Sequence, residues 1–470
     1  MPAYNRYTLQ INQTITLTVT DAASDGRGVA RADDKVFFVE GGIPGDTAEV
    51  RLFAREKKFW VGRIESLLTP SPDRIEPQCE HFGTCGGCKW QQMNYSAQLH
   101  FKEKQVRDAF ERIAKVPFGE LKPIIGCENH FEYRNKVDFA CSEKRWLSRA
   151  EMQSDQTYEG NVMGFHVPKY FDKVIEIRHC HLTDGRVNHV RNALQAYGRT
   201  NGLTFYDARS HVGYLRNIVI RTSDTELMLI LIVGADRPEL LTPLIAFIRK
   251  ELPAVTSLIT IINTKHNDSY TDLPFTCEYG TPFITERLGK YRFEVGPLSF
   301  FQTNTRQTER LYQTVSEFLP EKSNIIYDLY CGTGSIGIFI SEQAEKVVGI
   351  EYVPSAVEDA YRNANLNSLE HLSFHAGDMA KLLTDDFTRL HGTPEVVISD
   401  PPRAGMDAKV VGQLLRLLPE RIVYVSCNPA TQARDVALLA AQYSVQTLQP
   451  VDMFPHTTHV ENVALLTRNR

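Results

Sequence analysis

Apolar and polar positions alternate with a period of two at the start of the chain. TITLTVTDA (14–22) shows it most cleanly. VARADDKVFFVEGGIPGDTAEVRLFA carries further strand-like runs, broken by Gly-Gly and Pro-Gly. No helical stretch interrupts residues 1–68. Several short strands in so little chain predict a small closed, OB-like barrel, because closure removes exposed strand edges. TPSPDRIEPQ (69–78) holds three prolines and reads as a linker. YSAQLHFKEKQVRDAFERIA (95–114) has helical periodicity with i,i+4 charge pairs. Within 130–290, strand runs (LRNIVIRT, ELMLILIVG, SLITIINTK) accompany one clear helix, RPELLTPLIAFIRKEL, an α+β pattern. From about 294, short apolar runs alternate with helix-length segments: NIIYDLYCGTG, EKVVGIEY, LSFHAGD, EVVISDPP, RIVYVSCNP and SVQTLQPVDMF. That pattern predicts a doubly wound, mostly parallel α/β sheet. Three domains are expected: 1–68, 69–293 and 294–470.

Composition narrows the class. Hydrophobic residues are 42% and charged residues 23% of 470, which excludes wholesale disorder. The net charge of -5 excludes a globally basic nucleic-acid binder but not a local basic face. Such a face is a candidate at Arg51, Arg55, Lys57, Lys58 and Arg63, where Phe53, Phe59 and Trp60 are interleaved. Cations neutralise phosphates and rings stack on bases. A solvated strand face with core aromatics is the alternative. No window approaches a membrane span and the N-terminus lacks a signal-peptide pattern, so no membrane partner is expected and the cytoplasm is the default. Nine cysteines there are thiols, ligands or nucleophiles rather than disulfides.

Candidate chemistry gathers in the C-terminal third. Gly332-x-Gly334-x-x-Gly337 follows a predicted strand and opens a helix, so backbone can approach a ligand closely. Glu351 ends the next strand, where an acid accepts hydrogen bonds from ribose hydroxyls. Taken alone, this loop would suit a dinucleotide. Asp328, Asp378 and Asp400 end further strands, at the rim where open α/β sheets bind ligands. Cys427 also ends a strand and is a candidate nucleophile.

The acidic strand ends, the glycine loop and Asp400-Pro401-Pro402 resemble the class I S-adenosylmethionine-dependent methyltransferases. Ser426-Cys427-Asn428-Pro429, Phe454–Glu461 (FPHTTHVE) and Phe300-Phe301-Gln302-Thr303-Asn304 resemble the RNA uracil-5-methyltransferase family of RlmD/RumA and TrmA type. That resemblance implies Cys427 as nucleophile on carbon 6 of uracil and Glu461 as the base that removes the carbon 5 proton. It implies S-adenosylmethionine contacts from Gln302, Tyr330, Glu351, Asp378 and Asp400. Ser335 stands where relatives often carry Asn. His456 and His459 are read as structural. Tyr133-Arg134-Asn135-Lys136 also resembles a family motif, contacting phosphate or forming a polar sheet edge.

Cys79-x5-Cys85-x2-Cys88 offers three closely spaced thiolates, and a closed zinc or iron–sulfur site needs a fourth ligand. Physical reasoning leaves the metal open. The resemblance implies a [4Fe-4S] cluster completed by Cys180, with Cys127, Cys141, Cys277 and Cys331 as ordinary thiols. GRGVAR, VFFVEGGIPGD and RLFAREKKFW resemble an RNA-binding TRAM domain. By the same resemblance, residues 92–128 pack on the methyltransferase domain. The substrate expected is 23S rRNA, with tRNA as the alternative and no obligate protein partner. An iron–sulfur NAD-dependent oxidoreductase and a catalytically silent RNA-binding protein are the readings from other classes.

Overall fold

Alternating burial builds the first sheet of the computed structural model, which describes residues 9–168 and 170–469. β1 (Thr14–Ala22), β2 (Gly28–Ala32), β3 (Lys35–Glu40), β4 (Thr47–Arg55) and β5 (Phe59–Thr69) close into a barrel in the order β1-β2-β3-β5-β4. Leu17, Val19, Phe37, Val39, Val50 and Leu52 fill its interior. Asp46 ties the proline-rich segment to the barrel. Its buried carboxylate accepts from the Ile43 and Ser71 N–H groups and pairs with Arg74 at 2.5 Å. Burial alone would raise its pKa, but Arg74 and those N–H groups hold it below the usual carboxylate value.

The described residues up to Gln105, together with Phe454–His459, form one compact unit. Within it, α1 (Tyr95–Ala109) begins beside the buried cluster Ile43, Trp90, Met93 and Ala97. His456 is clasped in the same unit. Its carbonyl accepts from Lys89 N (2.8 Å) and Trp90 N (3.0 Å), and its N–H donates to Gln98 Oε1 at 2.8 Å.

The second unit comprises Val106–Met453 and the described residues from Val460. A π-helical turn, Phe110–Ala114, ends α1, and β6 (Phe118–Leu121) follows. The central region contains β7 (Lys136–Ser142), α2 (Arg149–Met152), β8 (Val162–His166), β9 (Val174–Glu176), α3 (Gly185–Thr200), β10 (Leu215–Thr222), β11 (Leu227–Val233), α4 (Pro238–Glu251), β12 (Ser257–Ile262) and β13 (Phe275–Tyr279). Its seven strands run β13-β12-β11-β10-β7-β8-β9, and only β11–β12 is a parallel pair. A hairpin, β14 (Ile284–Leu288) and β15 (Tyr291–Val295), leads onward.

The last region alternates as the apolar runs predict. It contains α5 (Thr305–Phe318), β16 (Ser323–Leu329), α6 (Ser335–Phe339), β17 (Ala344–Glu351), α7 (Pro354–Leu366), β18 (Leu372–Ala376), α8 (Met379–Leu382), α9 (Asp385–His391), β19 (Val396–Ser399), α10 (Ala408–Leu417), β20 (Arg421–Ser426), α11 (Pro429–Leu439), β21 (Tyr443–Val451) and β22 (Glu461–Arg468). The sheet order is β18-β17-β16-β19-β20-β22-β21-β6. β22 runs antiparallel to both its neighbours, and β6 adds as a parallel edge strand on β21. Tyr327, Leu329, Ile350, Ile422 and Tyr424 form part of the core beneath the helices.

Candidate active site

The carboxyl ends of β16, β19 and β20 lie side by side, and β22 starts at the same edge because it runs the other way. This arrangement brings Asp328, Asp400, Cys427 and Glu461 onto one rim. The β20–β22 register pairs Ser426 with Asn462. Cys427 directly follows Ser426 and Glu461 directly precedes Asn462, and the Glu461 carboxyl acts electrostatically on the Cys427 thiol.

The charges on this rim oppose one another. Desolvation, then Glu461 and Asp400, push the Cys427 thiol up to about 11, against a lowering influence from Arg403. Burial, with Asp400 adding to it, pushes the Glu461 carboxyl up to about 8. Asp400 rises to about 7 through desolvation. Asp328 also rises to about 7, through burial first, although its Oδ2 accepts from Gly337 N at 2.9 Å. Ligand-free, Cys427 and Glu461 therefore favour their protonated forms at neutral pH.

The glycine loop joins this rim. Tyr330 (φ 62), Gly332 (φ 53) and Gly334 (φ 75) all take left-handed backbone, strained for the tyrosine and free for the glycines. Glu351 holds the loop from the next strand: Oε2 accepts from Gly332 N (3.1 Å) and Oε1 from Val353 N (2.9 Å). Asp378 caps α8 through Ala380 N (3.0 Å) and pairs with Lys381 at 3.5 Å. The Gln302 side-chain amide has no hydrogen-bond partner among the described residues. Ser335 is engaged, its hydroxyl 2.7 Å from the Tyr312 hydroxyl. The buried atoms Asp328 Oδ1 and Ser399 Oγ lack partners. A polar ligand with hydroxyl and amino groups suits such a rim, and S-adenosylmethionine fits that description.

Sequence reasoning missed the clamp on the Asp400-Pro401-Pro402 loop. Asn428 Nδ2 and Thr431 Oγ1 each donate to the Arg403 carbonyl at 3.2 Å. Arg434 Nη2 donates to Ala404 O (2.9 Å), and buried Asp435 accepts from Met406 N (2.8 Å) and the Tyr424 hydroxyl (2.8 Å). The signal was present as polar residues crowding one turn after Cys427, in SCNPATQARD.

In the first unit, the basic stretch of the barrel is mixed in character. Trp60 belongs to the barrel core, whereas Phe53 is exposed. The Arg63 guanidinium lies 5.9 Å from the Phe53 ring, and Arg55 lies 5.4 Å from Trp60. Arg51 pairs with Glu65 and Arg63 with Glu40.

Cys79, Cys85 and Cys88 lie in one loop of the first unit, and none of them forms a disulfide among the described residues. Gln91 bridges two of them: its Oε1 accepts from Cys79 N (3.1 Å) and its Nε2 donates to Cys88 Sγ (3.2 Å). Cys180 belongs to the second unit, where its N–H donates to Asn188 Oδ1 at 2.8 Å. Among the described residues, no three His, Cys, Asp or Glu side chains are gathered closely enough to hold a metal. Four thiols suit iron in chemistry. No helix among the described residues is long and apolar enough to cross a membrane.

Comparison with known proteins bears on both regions. Residues 280–469 match the family described as tRNA (Uracil-5-)-methyltransferase, and residues 9–64 match the TRAM domain. An uncharacterized RNA methyltransferase of Bacteroides thetaiotaomicron is 46% identical over 450 residues, covering 94% of this chain and 99% of the relative. Another, from Porphyromonas gingivalis, is 45% identical over 463 residues, covering 96% and 100%. Among solved structures, the Pyrococcus abyssi tRNA (uracil-54, C5)-methyltransferase in complex with S-adenosyl-L-homocysteine superposes with a TM-score of 0.74. It is 28% identical, with coverage of 96% of this chain and 100% of that one.

Proposed function

The chain belongs to the S-adenosylmethionine-dependent RNA uracil-5-methyltransferases, and on that footing we propose that it methylates carbon 5 of a uridine in 23S rRNA. The observation that supports the mechanism is the β20–β22 register, whose last pair, Ser426 with Asn462, flanks Cys427 and Glu461, together with the electrostatic influence of Glu461 on the Cys427 thiol. Carbon 5 of uracil is a poor nucleophile. The Cys427 thiol loses its proton to solvent and adds as the thiolate to carbon 6, and the ring becomes an enolate nucleophilic at carbon 5. S-adenosylmethionine, when bound, supplies the electrophilic methyl group. Glu461 then takes the carbon 5 proton, and elimination breaks the sulfur–carbon 6 bond. Gln302, Tyr330, Glu351, Asp378 and Asp400 hold the cofactor along the rim of the sheet. The barrel, with Phe53 and its arginines, contacts RNA, since stacking and phosphate pairing need that pairing of residue types. The modules we assign are the barrel at 1–68, the central domain at 69–293 and the catalytic domain at 294–470.

A [4Fe-4S] cluster on Cys79, Cys85, Cys88 and Cys180 is part of this proposal, supported by the cysteine spacing together with the family resemblance, which is what favours iron–sulfur over zinc. Iron and sulfide analysis of anaerobically purified protein tests it; protein free of both would remove the cluster. Transfer RNA is the second reading for the substrate, favoured by the tRNA enzyme that superposes over nearly the whole chain. Radiolabelled S-adenosylmethionine offered with unmodified 23S rRNA and with bulk tRNA separates the two. We expect label as 5-methyluridine in rRNA, absent with Cys427→Ala. Label in tRNA alone would overturn the rRNA assignment.

A further inference from the structure

Gln302 sits in a loop whose backbone is held at successive points while its side chain is left free. The Asn135 N–H donates to Thr303 O at 2.9 Å. The Asn135 side-chain nitrogen lies 3.1 Å from Gln302 O, 2.8 Å from Thr305 Oγ1 and 3.2 Å from Glu286 Oε1. The Thr305 hydroxyl donates to Glu286 Oε2 at 3.1 Å, so its oxygen is oriented to accept from Asn135. An amide has two protons, so this nitrogen shares them among three acceptors. Arg221, buried in β10, donates to Ser299 O, and the Ser299 hydroxyl donates to Asp359 at 2.5 Å. Asn304 caps α5 through Gln307 N (3.3 Å) and donates to Met453 O (2.8 Å).

The central sheet thus grips Ser299–Asn304, while Phe300 stays 70% exposed and the Gln302 side-chain amide makes no hydrogen bond among the described residues. Pinning a backbone while leaving its side chains unsatisfied is the arrangement expected of a ligand-contacting loop. Among the described residues, the hydrogen bonds of the Asn135 side-chain nitrogen all go to Gln302 O, Thr305 Oγ1 and Glu286 Oε1. Glu286 is buried, and burial lifts its carboxyl to about 7, a cost that its bonds to Thr305 and Asn135 offset only in part. A buried acid retained at that cost is explained by the donors it orients.

We propose that Asn135, held by Glu286 and Thr305, is a positioning residue that sets the Gln302 backbone for cofactor binding. This rests on the assignment of Gln302 as a cofactor contact. It gives the central domain a part in the methyl-transfer site, separate from RNA contact, and gives the Tyr133–Lys136 motif a defined task.

Calorimetric titration with S-adenosylhomocysteine tests it. Asn135→Ala and the isosteric Asn135→Asp, which cannot donate, should each weaken binding about tenfold, equivalent to ~1.4 kcal/mol. The ligand-free melting temperature should stay within a few degrees of wild type. In turnover, KM for S-adenosylmethionine should rise similarly, with KM for the accepted RNA unchanged. Wild-type affinity in both variants would overturn the inference, as would an equal rise in both KM values. If the Asn135 variants fail to fold, Thr305→Val decides: weaker binding supports the inference and unchanged binding refutes it. Failure of the wild type to bind S-adenosylhomocysteine would instead remove the cofactor assignment on which it rests.

Discussion

Cys427 and Glu461 share a difficulty at the residue scale. Each must lose a proton to act, and each is held protonated at neutral pH by burial and by its neighbours' charge. With saturating substrates, turnover should therefore climb between about pH 6 and about pH 9 as Glu461 ionises. A flat profile would count against the base assignment. Cys427→Ala should lower kcat by on the order of 10³-fold or more while leaving S-adenosylhomocysteine affinity within about twofold. Glu461→Gln should form the adduct and transfer the methyl group but release product slowly. A protein–RNA species that survives denaturing gels, present in this variant and scarce in the wild type, is the expected signature. Cys427 was legible in the sequence as a polar residue ending an apolar strand. Glu461 was not legible from pattern alone, because a lone acid near a C-terminus resembles any surface residue. Its place depends on the direction of β22, to which an apolar pattern is blind.

At the element scale, continuous apolar runs made β16, β17, β19 and β20 easy to read, since strands buried on both faces carry no alternation. β6 was harder. FGEL has no apolar run, and only its pairing with β21 makes it a strand. β17 ends in Glu351, and its Gly349 is closely packed. A Cβ there would come 2.4 Å from Phe374 Cδ1 and 2.9 Å from Cys331 Sγ. Gly349→Ala should cost about 1–3 kcal/mol of stability, seen as a lower urea midpoint at unchanged slope. An unchanged midpoint would mean that Phe374 and Cys331 can move aside freely.

The buried acids act together at the scale of the whole molecule. Glu286, Asp328, Asp400 and Glu461 all have pKa values raised to about 7 or 8 in the folded chain. Between their ordinary values and those raised ones, the folded state binds more protons than the unfolded state. Stability therefore falls as pH rises through that window and levels off above about pH 8. Ligand-free protein should show a higher urea midpoint at about pH 6 than at about pH 8.5; the reverse order would show that these carboxyls are hydrated. The division into two units was not legible in the sequence. Phe454–His459 joins the first unit although 348 residues, Val106–Met453, separate it from Gln105, where the unit's first stretch ends. Local composition does not register a contact made at that distance along the chain.

The antiparallel last strand has a consequence for descent. The pairing of Arg421–Ser426 with Asn462–Thr467, not the length of chain between them, sets the spacing of Cys427 and Glu461. Lineages can gain or lose residues in the intervening loops without disturbing that spacing. A single insertion or deletion inside either strand would turn the carboxyl to the opposite face of the sheet.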